Sequence, residues 1–110
     1  MDEATTERVL RAVEQVPAGS LVSYGDIAAI VGTGARHVGS IMRHWGSNVA
    51  WWRVTNRNGD LPVHLLAEAR GLWRSEGIGI KADGRGARIG DHRADLARLA
   101  DAYDRAVGDL

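Results

Sequence analysis

The feature that most constrains the fold is a pair of short helical patterns separated only by Gly32-Thr33-Gly34. Apolar residues before this turn predict a helix over about 25–31, and Ser23 is placed to cap its start. After the turn, a second apolar pattern predicts a helix over about 35–45. Two short helices joined by a tight, glycine-containing turn are typical of a helix-turn-helix.

The second of these helices has two distinct sides. Its apolar side contains Val38, Ile41, Met42 and Trp45, and its other side contains Arg36, Gly39, Ser40 and Arg43. A glycine inside a helix costs about 1 kcal/mol relative to alanine. The basic, glycine-bearing side therefore favours close approach to the backbone of a partner.

Charge is unevenly distributed although the chain is neutral, with 14 Lys+Arg and 14 Asp+Glu. No acidic residue occurs over 27–59, and the same stretch carries Arg36, Arg43, Arg53 and Arg57. Such a window is consistent with a surface that binds a polyanion. A chance grouping of arginines is the alternative that charge alone leaves open.

The remaining patterns predict one α/β domain of winged-helix type spanning 1–110. A first helix is expected over about 6–16, capped by Thr5 or Thr6 and ended by Pro17. A strand over 49–54, a turn over 56–60 and a helix over about 65–75 follow. Ile78 and Ile80 predict a brief strand, and a last helix is expected over about 92–107.

Several function classes are excluded by composition. Because the chain has no cysteine, it has no disulfide, thiolate metal site or cysteine nucleophile. His37 and His44 lie seven residues apart with no third ligand, so no metal site is predicted. No catalytic residue and no cofactor are expected. With no long apolar run and an acidic start, the chain is expected to be cytoplasmic.

Five short motifs occur in one order along the chain. They are Val16-Pro17-Ala18-Gly19, Val22-Ser23-Tyr24-Gly25-Asp26-Ile27-Ala28, Ala35-Arg36-His37-Val38-Gly39, Trp51-Trp52-Arg53-Val54 and Ser75-Glu76-Gly77-Ile78. This order resembles the C-terminal DNA-binding domain of O6-alkylguanine-DNA alkyltransferases. The resemblance covers about 6–80 and does not explain the helical extension over about 91–107.

One departure from the alkyltransferase pattern changes the expected activity. Where those enzymes have Pro-Cys-His-Arg, this chain has Ala50-Trp51-Trp52-Arg53. Alkyl transfer needs a thiolate, which tryptophan cannot supply. Glu76 matches the glutamate that orients the family's histidine, and no histidine is present for it to orient. Tryptophan at the cysteine position is similar to the alkyltransferase-like proteins, which bind DNA without repairing it.

The resemblance implies recognition of O6-alkylguanine in double-stranded DNA by minor-groove docking and base flipping, with the lesion flagged for nucleotide excision repair. It implies a monomer in which Arg36 fills the stack and Tyr24 crowds the 3′ phosphate. The implied DNA-binding residues are Tyr24, Ala35, Arg36, Gly39, Ser40 and Arg43. The implied lesion pocket contains Tyr24, Trp51, Arg53, Val54 and His64.

Two other readings of the chain remain open. Two indoles in place of smaller side chains are compatible with a filled pocket, in a winged-helix DNA binder with no lesion preference. The second hypothesis is that the chain is a protein–protein interaction module.

If Trp51 and Trp52 lie on a strand, their side chains point to opposite faces. Trp51 is then assigned to the pocket and Trp52 to the core or the opposite surface.

Overall fold

The computed structural model describes residues 2–110. Within them the chain forms six α-helices, two short strands and three single turns of 3₁₀ helix. In chain order the helices and strands are α1 (Glu3–Glu14), β1 (Val22–Ser23), α2 (Tyr24–Val31), α3 (Ala35–Trp45), β2 (Val54–Thr55), α4 (Leu66–Ser75), α5 (Ile89–His92) and α6 (Leu96–Ala106). The 3₁₀ turns are Gly46–Asn48, Trp51–Arg53 and Val63–Leu65.

The first helix begins three residues earlier than the sequence pattern predicts. Asp2, rather than a threonine, is the N-cap, and its carboxylate accepts a hydrogen bond from the Ala4 N–H at 3.1 Å. The Thr5 hydroxyl donates to the same carboxylate at 2.6 Å, so Thr5 lies inside the first turn. The helix ends at Glu14, before Pro17, as a proline requires.

The helix-turn-helix prediction is confirmed. Ser23 caps α2 in a capping box in which the Asp26 N–H donates to the serine hydroxyl and Asp26 accepts from the Ser23 N–H. Gly32 ends the helix with φ +90°, a left-handed conformation that favours glycine. Helix α3 then begins at Ala35 and buries Val38 and Ile41 against the core.

The predicted strand over 49–54 is wrong for most of its length. Trp51–Arg53 forms a 3₁₀ turn, and only Val54 and Thr55 pair, in parallel, with Val22 and Ser23. Neighbouring side chains on a strand point to opposite faces. Here the side chains of Trp52 and Arg53 both bond to Glu76, and a turn brings them to one side.

Two other predicted elements differ from the structure. The brief strand expected at Ile78 and Ile80 is absent from the described residues, where Ile80 forms only a single bridge with Ala87. The last helix begins at Leu96 rather than 92, because the Asp95 side chain accepts from the Arg98 N–H and caps it there.

Two hydrophobic clusters hold the elements together. The first joins α1, α2, α3 and α6 around fully buried side chains, including those of Val9, Ile27 and Ile41. The second surrounds Trp73 of α4, which is also fully buried. No helix within residues 2–110 is long and apolar enough to cross a membrane.

Candidate nucleic-acid interface

A cavity of about 170 Å³ opens between the start of α2, the end of α3, the Trp51–Arg53 turn and the Leu61–Leu65 loop. Its lining consists of Tyr24, Met42, Arg43, Gly46, Ser47, Trp51, Val54, Leu61, His64 and Leu65. Four of the five residues expected in a lesion pocket thus lie together. A buried apolar cavity of about 150 Å³ is large enough to admit a benzene ring, so this cavity has room for a planar aromatic group.

Tyr24 lies on the rim of this cavity because it is the first residue of α2, directly after the capping serine. It also lines an adjoining depression together with Gly39, Arg43 and His64. Burial raises the pKa of Tyr24 above its ordinary value, and the positive charge of Arg43 partly opposes that rise. The phenol is therefore protonated near neutral pH and able to donate a hydrogen bond.

The outer side of α3 carries cations without carboxylate partners. Arg36 and Arg43 are exposed, and neither forms an ion pair within residues 2–110. Ala35, the first residue of the helix, is exposed, and Ser40 is partly buried. A Cβ added at Gly39 would meet no atom of residues 2–110 within 4 Å, so no contact among these residues requires glycine there. This side of α3 is open to a partner along its length.

The two histidines of α3 bond within their own part of the chain. His37 Nδ1 lies 3.0 Å from the Thr33 hydroxyl, and His44 Nδ1 lies 2.8 Å from the Ser40 carbonyl oxygen. Residues 2–110 contain no group of three or more histidine, cysteine, aspartate or glutamate side chains placed to hold a metal ion.

Arg53 does not line the cavity, contrary to the sequence-based expectation. Its Nη2 donates to Glu76 Oε2 at 2.7 Å, and its Nη1 donates to the Val16 carbonyl at 3.0 Å. The guanidinium lies 5.4 Å from the centre of the Trp52 ring. These partners orient Arg53 away from the cavity, where it ties the end of α1 to the end of α4.

Glu76 is the centre of a network that sequence reasoning missed. Besides Arg53, it accepts hydrogen bonds from Trp52 Nε1 at 2.8 Å and from the Gly19 N–H at 2.9 Å. Burial acts to raise the pKa of Glu76, but the bonds from Arg53, Gly19 and Trp52 outweigh it and leave the pKa below its ordinary value. The indole N–H of Trp52 gives this carboxylate a partner in place of a histidine.

The network also fixes the wall of the cavity. The rings of Trp51 and Trp52 meet edge to face, with centroids 5.8 Å apart. The Trp52 carbonyl accepts a hydrogen bond from Trp73 Nε1 at 2.7 Å. Both indoles pack against the cluster around Trp73, and of the two only Trp51 also lines the cavity.

Residues 4–78 match the family described as 6-O-methylguanine DNA methyltransferase, DNA binding domain. The chain belongs to this family. The match includes the helix-turn-helix, the Trp51–Arg53 turn and Glu76, so the predicted family resemblance is confirmed. It ends before α5 and α6, which lie outside the matched domain.

Curated relatives cover a similar part of the chain. The DNA base-flipping protein of Escherichia coli (strain K12) is 30% identical over 90 residues, covering 76% of this chain and 70% of that protein. Alkyltransferase-like protein 1 of Schizosaccharomyces pombe is 42% identical over 87 residues, covering 74% and 80% respectively.

Solved structures of S. pombe relatives confirm the predicted fold class. The structure of Atl1 in complex with damaged DNA containing O6-carboxymethylguanine matches with a TM-score of 0.73 and 24% identity. A second, of S. pombe ATL in complex with DNA, matches with a TM-score of 0.71 and 25% identity. Each covers 86% of this chain and 98% of the S. pombe chain.

Proposed function

We propose that this protein binds O6-alkylguanine in duplex DNA and transfers no alkyl group. The observation that carries the proposal is the cavity beside Trp51 in a chain without cysteine, next to cations of α3 that form no ion pair within residues 2–110. The cavity offers an apolar wall to a flipped base. Trp51, which is part of that wall, stands where the alkyltransferases have the cysteine thiolate. Binding without transfer is the activity consistent with both facts.

In the proposed complex, α3 docks in the minor groove through Gly39 and Ser40. Glycine and a short hydroxyl side chain permit close approach of the helix to the DNA backbone. Arg43, exposed one turn further along, contacts a phosphate. The chain acts as a monomer, and residues 1–110 work as one domain.

Base flipping is assigned to Arg36 and Tyr24. Extruding a base costs a few kcal/mol, least where the pair is already damaged. The planar guanidinium of Arg36 stacks in the vacated space and hydrogen-bonds the orphaned base. Tyr24, on the cavity rim, presses on the 3′ phosphate, and the flipped base enters the space between Trp51, Val54 and His64.

The names of the relatives support this assignment. One is called a DNA base-flipping protein, and another was crystallised on DNA containing O6-carboxymethylguanine. A protein that marks a lesion without repairing it needs a downstream pathway, and we assign that role to nucleotide excision repair. The open cavity argues against the alternative of a filled pocket with no lesion preference.

A paired binding titration tests the proposal. One duplex contains a single O6-methylguanine and its control contains guanine, and each is titrated with wild type, Arg36→Ala and Arg98→Ala. Arg98 is an exposed arginine of α6, so it controls for loss of one positive charge. We expect wild type and Arg98→Ala to bind the lesion duplex more tightly than the guanine duplex. We expect Arg36→Ala to lose about tenfold or more in affinity for the lesion duplex. Equal affinity of wild type for both duplexes would contradict lesion recognition.

A further inference from the structure

The segment beyond the matched domain returns to the base of α2. The Leu21 N–H donates to the His92 carbonyl, and the Ala94 N–H donates to the Leu21 carbonyl, both at 2.9 Å. Leu21 is fully buried and directly precedes β1. His92 is itself held, because its Nε2 accepts a hydrogen bond from the Gly79 N–H at 2.9 Å. The backbone on both sides of Arg93 is thereby fixed against the strand that leads into α2.

Arg93 reaches from this position to the capping box of α2. Its Nη2 donates to Asp26 Oδ1, while the other carboxylate oxygen of Asp26 accepts from the Ser23 N–H at 2.9 Å. Asp26 is 8% exposed, and Arg93 is its only ion-pair partner within the described chain. A carboxylate so buried is stable only when it is paired and hydrogen-bonded.

Tyr24 lies between the two residues of this capping box. Ser23 and Asp26 set the backbone of the first turn of α2, and Tyr24 is the residue that this turn presents at the cavity rim. If Arg93 is removed, the carboxylate of Asp26 must find water or another donor. We then expect the turn to shift, and the Tyr24 ring to shift with it.

We propose that Arg93 is a positioning residue that holds Tyr24 for base flipping through the Asp26 capping box. The proposal rests on the function proposed above. It assigns a role in DNA distortion to the part of the chain outside the matched family domain. Arg93 need not touch DNA in this account, because it acts through Asp26.

The first test uses the free protein and therefore does not depend on DNA binding. The chain has two tyrosines, Tyr24 and Tyr103, so ring-labelled tyrosine gives two sets of NMR signals. We expect Arg93→Ala to shift the Tyr24 ring signals and leave those of Tyr103, in α6, in place. With Arg93→Lys, which keeps a cation and a donor, the Tyr24 signals are expected close to their wild-type positions. Arg98→Ala is expected to leave them unshifted. Unchanged Tyr24 signals, or equal shifts of both tyrosines, would overturn the proposal.

The second test uses one duplex with 2-aminopurine beside the lesion. Its fluorescence reports base flipping, and a titration of the same duplex gives the affinity. We expect Arg93→Ala to lower affinity about fivefold in the wild-type background and by less than twofold in Tyr24→Ala, because the two residues act through one contact. A general loss of stability would weaken both backgrounds equally and would overturn the proposal.

Asp26→Asn separates positioning from simple charge. It removes the partner of Arg93 and a negative charge while keeping an oxygen acceptor for the Ser23 N–H. If Arg93 acted only as a cation near DNA, this variant would bind DNA more tightly. The positioning account predicts weaker binding and less 2-aminopurine fluorescence. Wild type without lesion preference would instead contradict the proposed function, while the tyrosine NMR result still decides whether Arg93 positions Tyr24.

Discussion

Arginines lie in two opposite settings in this protein, exposed on α3 and ion-paired behind the cavity. On the outer side of α3, Arg36 and Arg43 are exposed and form no ion pair within residues 2–110. Behind the cavity, Arg53 is 18% exposed in its side chain and bonds to Glu76, itself 11% exposed. Position in the stretch over 27–59, which carries arginines and no acidic residue, is therefore not enough to assign a DNA contact. An exposed arginine without an ion pair in the described chain is available to a phosphate, whereas the guanidinium of Arg53 is already bonded to Glu76 and Val16.

The largest effect is expected where the paired group is broken. Glu76→Ala leaves Trp52 Nε1, the Arg53 guanidinium and the Gly19 N–H without their acceptor. Removing one partner of a fully buried ion pair costs about 3–5 kcal/mol, and because this pair is only partly buried we take the low end, about 3 kcal/mol. We expect a fall of that size in the free energy of unfolding, measured by urea denaturation. A loss below about 0.5 kcal/mol would show that the network does not stabilise the fold.

The same carboxylate gives a pH prediction. Because the folded-state pKa of Glu76 lies below its unfolded value of 4.5, its stabilisation is present above about pH 4.5 and is lost as pH falls through the folded pKa. Wild type is therefore expected to lose stability on acidification more steeply than Glu76→Gln. Urea midpoints measured between pH 7 and pH 3 check this, and parallel curves for the two proteins would contradict it.

Substitutions of Arg53 and Arg36 are expected to differ in their effect on stability. We expect Arg53→Ala to lower the free energy of unfolding by about 2–3 kcal/mol, since it leaves the partly buried Glu76 carboxylate without its cation. Arg36→Ala should change stability by less than about 0.5 kcal/mol, as is usual for an exposed residue without partners. Denaturation of both variants measures this, and equal losses would show that the two groups are not distinct.

Gly39→Ala is expected to separate folding from binding. The new methyl group meets nothing in the free protein, so alanine should raise the free energy of unfolding by up to about 1 kcal/mol. In the proposed complex the same methyl group faces the DNA backbone and should weaken binding. Thermal denaturation and a DNA titration on one preparation check both signs. Unchanged affinity would move the DNA contact away from this side of α3.

Arg43→Ala is expected to change the salt dependence of DNA affinity by a small amount. Arg43→Ala should weaken binding to damaged and undamaged duplexes alike, since a phosphate contact carries no lesion information. The slope of log affinity against log salt should become shallower by about 0.9, the value for one phosphate contact. Titrations from 50 to 200 mM salt measure the slope. An unchanged slope would place Arg43 outside the contact surface.

Local patterns predict the parts of the fold that local interactions determine. Ser23, the turn at Gly32 and the bounds of α3 follow from capping, glycine geometry and apolar spacing, which a single stretch of sequence contains. The turn at Trp51–Arg53 is different. Its Trp52 and Arg53 side chains bond to Glu76, more than 20 residues later, and no local pattern predicts that contact.

The candidate site shows the same division. The family resemblance predicts one pocket for Tyr24, Trp51, Val54 and His64, and these four residues line one cavity. It misplaces Arg53, because the partner of that guanidinium is decided by the tertiary fold. A signal was nevertheless present in the sequence. With Trp52 at the histidine position, Glu76 lacks its usual hydrogen-bond donor. The indole N–H of Trp52 and the guanidinium of the next residue, Arg53, are the donors that the sequence offers in its place.

The most direct test of the central claim is ¹⁹F NMR of the protein labelled with 5-fluorotryptophan. Four signals are expected, assigned by substituting each tryptophan with phenylalanine. Adding a duplex with one O6-methylguanine should shift the Trp51 signal and leave the buried Trp73 signal in place, and the guanine duplex should leave Trp51 nearly unchanged. A Trp51 signal that stays fixed while the lesion duplex is bound would contradict the claim that the flipped base enters this cavity.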